Sequence, residues 1–109
     1  GFDRAYAESE RLRDYLCKRM ESIGMDRAGP KNPALRSSIT VFKLNPIFAN
    51  TLRKRLWDEY RILVPVTRCA GHSYLRISTA WFYTEAMIDR VVEAMDRELK
   101  MFNQKRDVA

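Results

Sequence analysis

The chain has 109 residues, 46% of them hydrophobic and 31% charged, a globular composition that excludes a disordered or fibrous polymer. It has room for one domain, which hides about two-thirds of its extended surface and so needs no metal or disulfide to hold a core. The formal net charge of +6, from 20 basic and 14 acidic residues, admits an anionic partner. Both signs are interspersed, however, and the run Arg53-Lys54-Arg55 reads as helix surface held in solvent.

In chain order, Ala5, Leu12, Leu16, Met20 and Ile23 recur at helical spacing, with Tyr15 beside them. They predict an amphipathic helix from Asp3, its cap, to Ile23, stopped by Gly24. Asp26 to Pro33, with Gly29, Pro30, Asn32 and Pro33, reads as a loop that can follow a short edge strand. Ser37 to Leu44 alternates, Ile39 and Val41 against Ser38 and Thr40, which predicts a strand. Asn45-Pro46 then supplies an N-cap and a first helical residue for a helix carrying Phe48, Leu52 and Leu56 and ending near Tyr60.

Ile62 to Val66 predicts a short strand that Pro65 ends or confines to a sheet edge. Ser73 to Ser78 predicts another, with Leu75 and Ile77 on one face and Tyr74, Arg76 and Ser78 on the other. Thr84 caps a last helix with the stripe Ile88, Val91, Val92, Met95, Leu99 and Phe102. The pairs Glu93–Arg97 and Asp96–Lys100 support that helix, and fraying is expected from Gln104 to Ala109. The expected fold is α+β, in the order α-β-α-β-β-α: a small antiparallel or mixed sheet of three to four strands with helices packed on one face.

Cys17, in a helical segment, and Cys69, in a loop, make no secreted disulfide framework, so both are expected reduced and the chain cytoplasmic. No stretch reaches the length of a membrane span and no signal peptide opens the chain. An opening Gly1 in place of methionine suggests a piece cut or processed from something longer.

Self-contained catalysis finds no support. His72 is the lone histidine, which excludes multi-histidine metal sites, and no CxxC, GxGxxG or GxxxxGK[ST] pattern occurs. Trp81, Phe82 and Tyr83, near Tyr74, read as packing at a strand-to-helix junction or as a base-stacking platform. A basic nucleic-acid-binding or protein-interaction module is therefore the alternative to an enzyme domain, though the glycine-and-aromatic signature of an RNA-recognition sheet is missing. Arg76, inside a strand, needs an anionic partner, either an internal acid or a ligand carboxylate gripped by its planar fork.

The segment Tyr74 to Met95, YLRISTAWFYTEAMIDRVVEAM, resembles the closing motif of class V aminotransferase-like enzymes. These form the branch of fold-type I pyridoxal-phosphate (PLP) enzymes that includes cysteine desulfurases and isopenicillin-N-epimerase-like proteins. Arg76, Ser78, Thr84, Glu85, Ile88, Asp89 and Arg90 fit its pattern, and LRSSITVF and RLWDEYRILVPV resemble the epimerase-like small domain upstream of it. The resemblance implies a C-terminal small domain, with Arg76 gripping the α-carboxylate of an amino-acid substrate so that its Cα bond aligns with the cofactor, and with Thr84 as a structural cap.

The family's Tyr-Asn-Thr is here Phe82-Tyr83-Thr84, so the details of that turn do not carry over. No lysine lies in a context like that of the cofactor lysine. The resemblance thus implies PLP in the whole enzyme and none bound by this segment alone. It also implies a large PLP-binding domain as the missing partner, a homodimeric whole enzyme, and neither membrane nor nucleic acid among its partners. The reaction would be transamination, epimerisation, carbon–sulfur cleavage or desulfuration.

Overall fold

A computed structural model describes residues 2–28, 39–79 and 84–108. Three helices, α1 (Phe2–Ser22), α2 (Pro46–Tyr60) and α3 (Glu85–Val108), accompany four strands, β1 (Arg27–Ala28), β2 (Ile39–Leu44), β3 (Val66–Cys69) and β4 (His72–Ser78). The sheet runs β1-β2-β4-β3 and every pairing is antiparallel. The α+β fold expected from the sequence is the fold found, with β1 as an additional edge strand.

Local chemistry accounts for most boundaries. The Asn45 side chain accepts hydrogen bonds from the Ile47 N–H at 2.8 Å and the Phe48 N–H at 3.4 Å, and Pro46 opens α2 where no donor is needed. Arg61 ends α2 in the left-handed region, its N–H bonded back to the carbonyls of Leu56 and Trp57. Thr84 caps α3 through its hydroxyl, which accepts from the Met87 N–H at 3.2 Å. Helix α1 begins at Phe2, so Asp3 lies inside it and not ahead of it as a cap. Gly24 stops it at φ +88°.

The core lies between the helices and one face of the sheet. Leu12, Leu16 and Met20 of α1, Phe48, Leu52 and Leu56 of α2, and Ile88, Val92 and Met95 of α3 close over Phe42, Leu75 and Ile77. The rest of the α3 stripe, Leu99 and Phe102, packs partly buried against them. Burying side chains of this size stabilises by about 1.5–3 kcal/mol each.

Several expectations are corrected. The third strand is Val66–Cys69 and not Ile62–Val66. Ile62 and Val64 are buried, but they are an extended lead-in without ladder pairing. Pairing starts at Pro65, which lacks an N–H and contributes only its carbonyl, to the Arg76 N–H at 3.0 Å. Cys69 consequently ends an edge strand and is exposed, while Cys17 is buried, and both are free thiols. In β2 the expected alternation holds, Ile39 and Val41 on one face against Thr40 on the other; the buried face is that of Thr40, Phe42 and Leu44, and Ile39 is 42% exposed. Helix α3 continues through Val108, beyond the fraying expected from Gln104. Ser37 and Ser38, the loop from Gly29 to Pro33, and the aromatic run Trp81–Tyr83 lie outside the described residues.

Candidate substrate-binding face

Alternation in β4 is strict: Ser73, Leu75 and Ile77 are buried under the helices. His72, Tyr74, Arg76 and Ser78 stand on the opposite face. Residues directly opposite in an antiparallel ladder share a face. The register therefore sets Val41 beside Arg76, Lys43 beside Tyr74 and Ile39 beside Ser78. On the other flank, Thr67 lies beside Tyr74 and Cys69 beside His72.

Arg76 is exposed on this face. Its guanidinium has no hydrogen bond or ion pair to any described residue, although its backbone is fixed by the ladder and by the Pro65 carbonyl. None of the four strands contains an aspartate or glutamate, so no acid in the sheet competes for it. A cation on a rigid strand with its donors unspent is suited to a planar anion delivered from outside.

The other motif residues are committed to the fold. Glu85 pairs with Arg11 of α1 at 2.9 Å. Asp89 accepts from Arg19 at 2.8 Å and from the Tyr15 hydroxyl at 2.5 Å, a bond that raises the Tyr15 pKa. Arg90 donates to the Tyr60 carbonyl at 2.7 Å, and Ile88 is fully buried. Of the seven residues carrying the motif, the structure brings only Arg76 and Ser78 to the open face. His72 is exposed at its far end, its ring 6.3 Å from that of Tyr74.

Two buried charges escaped the sequence reading. Glu98 of α3 is 4% exposed. It accepts both Arg55 Nε and Nη2 and, at 2.9 Å, the Tyr60 hydroxyl. The Arg55 hydrogen bonds hold its carboxyl below the usual range against the opposing effect of burial, while burial and then Glu98 raise the Tyr60 pKa. The signal was its spacing, since Glu98 falls in step with Met95 and Phe102 on the core stripe. Arg13 of α1, only 5% exposed, is the other.

A PLP site needs a recessed lysine amine to hold the cofactor. The described lysines Lys18, Lys43, Lys54, Lys100 and Lys105 are all exposed, so these residues do not fit a cofactor site of their own. No three described histidine, cysteine or acidic side chains are grouped to hold a metal, and no described helix is long and apolar enough to cross a membrane.

No protein-family model matches the chain. It is 34% identical over 91 residues, 79% of its length, to isopenicillin N epimerase of Amycolatopsis lactamdurans. It is 35% identical over 68 residues, 62% of its length, to the same-named protein of Streptomyces clavuligerus. The chain is homologous to a segment of isopenicillin N epimerase. It spans only 23% and 17% of these two relatives. Its fold recurs in alanine–glyoxylate aminotransferase from Nostoc sp., with a TM-score of 0.81 at 20% identity, covering 91% of this chain and 27% of that one. A serine palmitoyltransferase variant from S. paucimobilis with a bound PLP–myriocin aldimine shares it at a TM-score of 0.68 and 23% identity, over 88% of this chain and 25% of that one. The chain thus shares the fold of a segment of these two proteins.

Proposed function

We propose that this chain is the C-terminal, substrate-side domain of a PLP-dependent, class V aminotransferase-like enzyme acting on an amino acid or its derivative, and that Arg76 grips the substrate's carboxylate. The reaction belongs to the group formed by epimerisation, lyase chemistry, desulfuration and transamination. The observation carrying this reading is an Arg76 guanidinium without a partner among the described residues, on described strands that hold no acid, in a chain homologous to a segment of isopenicillin N epimerase.

The chain's own contribution is orientation. A planar guanidinium held on a strand offers two parallel N–H donors, and a carboxylate bound in that fork has lost most of its rotational freedom before any bond changes. PLP, when bound, supplies the electron sink for chemistry at the Cα. The groups that hold PLP are assigned to a large domain outside this chain, and the whole enzyme is read as a homodimer working in the cytoplasm.

The test is Arg76→Lys in the polypeptide that carries this chain, purified with PLP and offered a panel of amino acids. Lysine keeps the charge and loses the fork. The expected result is a kcat/KM lower by roughly 10- to 100-fold, matching about 1.5–3 kcal/mol for a hydrogen bond to a charged group, with the cofactor's visible absorbance unchanged. Full activity in the lysine variant refutes the assignment.

A further inference from the structure

Towards Ile39 and Leu63 the surroundings of Arg76 are apolar, and this bears on what kind of carboxylate it receives. Val41 stands directly across the ladder from it, and Ile39, one pair further along, is 42% exposed on the same face. On the other flank the Pro65 carbonyl accepts the Arg76 N–H. Burial alternates through this lead-in: Ile62 and Val64 are buried, Leu63 and Pro65 exposed, and Leu63 stands at 70%. Leu63 therefore points away from the helices, to the side on which Arg76 emerges. Arg76, with no side-chain partner among the described residues, thus has Ile39, Val41, Leu63 and Pro65 about it, and none of the described strands carries a carboxylate.

Exposed side chains of this size are not needed for the core, which lies on the other side of the sheet. A free inorganic anion would use the guanidinium and leave them wet. Lys43, exposed on the same face, stands one pair along the ladder in the opposite direction, beside Tyr74, so on the side of Arg76 bounded by Ile39 and Leu63 a second ligand charge would find no cation of the described strands. Charge and apolar surface are both satisfied by one ligand class. We propose that this face recognises a carboxylate borne on an apolar body, with Arg76 holding the charge and Ile39, Val41 and Leu63 covering the aliphatic part. The proposal rests on the reading of Arg76 as a carboxylate grip and adds the substrate class.

The experiment is a titration of the 109-residue chain, followed by amide NMR, with acetate, butyrate, hexanoate and glutarate. Binding that tightens with chain length from acetate to hexanoate, by about two- to fourfold per methylene covered, with shifts at Ile39, Leu63 and Arg76, supports the proposal. Glutarate should bind more weakly than hexanoate. Leu63→Ser, a change at an exposed site that leaves the core intact, should flatten the series, and Arg76→Gln should abolish the shifts with all four. Equal affinity for all four probes, with Arg76 still responding, overturns the apolar specificity and leaves the carboxylate grip standing. No response at Arg76 overturns both. Ligand-free shifts at Ile39 and Leu63 that depend on protein concentration assign the apolar rim to a second copy of the chain and overturn the proposal.

Discussion

Replacing Glu98 by alanine tests how α2 is fastened to α3. The carboxylate is almost fully buried and takes both nitrogens of a guanidinium and a phenol. Breaking a fully buried ion pair by removing one partner costs about 3–5 kcal/mol. Arg55 is 39% exposed, so its guanidinium regains water once Glu98 is gone. The loss is then nearer the lower bound, about 2–3 kcal/mol, to which the unpaired Tyr60 hydroxyl adds about 1 kcal/mol. A total near 3 kcal/mol lowers the melting temperature of a domain this size by about 12–20 °C.

The same group makes stability depend on pH. Its folded pKa lies below the ordinary carboxylate value because of Arg55, so the unfolded chain binds more protons in acid. Its contribution is complete above the unfolded glutamate pKa, near 4.3, and fades as pH falls through the lower folded value. Urea melts of the parent and of Glu98→Gln at pH 7, 4 and 3 read this directly. The gap between the two proteins should narrow on acidification. A loss under 1 kcal/mol for the alanine variant at pH 7, with unchanged denaturant slope, or a gap that widens in acid, refutes the reasoning.

Three further outcomes are expected. Asn45→Ala removes the acceptor for two N–H groups of α2 and should cost about 1 kcal/mol in a urea melt. Ala70 sits at φ 51° in the two-residue turn before Gly71, at φ 81°, a conformation that favours Asn-Gly. Ala70→Asn should therefore stabilise by about 0.5–1 kcal/mol by calorimetry. Phe42→Ala, at a fully buried ring, should cost about 3–5 kcal/mol and abolish a cooperative transition at body temperature in a thermal melt.

Legibility followed the strength of local signals. Asn45-Pro46 announces the start of α2, and the uninterrupted stripe from Ile88 to Phe102 announces α3, because capping and period 3.6 act within a few residues. The two sides of β4 were legible because its apolar residues fall on one side. In β2 they fall on both, so Thr40 points inward and Ile39 outward for reasons of ladder register alone, which no local pattern carries. Pro65 marked an edge, yet an apolar run before it imitated a strand whose pairing in fact begins only at the Pro65 carbonyl. As to the candidate site, the residue type of Arg76 was visible. Whether an acid in the fold had already claimed it was not, since that depends on contacts between distant segments. The buried role of Glu98 was hidden for the same reason, its partners lying 38 and 43 residues away.

The fastening of α1 has a consequence for the order in which the chain takes shape. Ser9 donates to the Thr79 carbonyl and Arg19 to Asp89, each across 70 residues, and Arg11 reaches Glu85 across 74. Within this stretch α1 is synthesised well before the groups that secure it, and most of a helix's stability in a protein comes from tertiary packing. Helix α1 therefore waits as an unpaired amphipathic segment until Glu85 and Asp89 have been made, and a nascent chain halted before Glu85 exposes Leu12, Leu16 and Met20 to any apolar surface it meets.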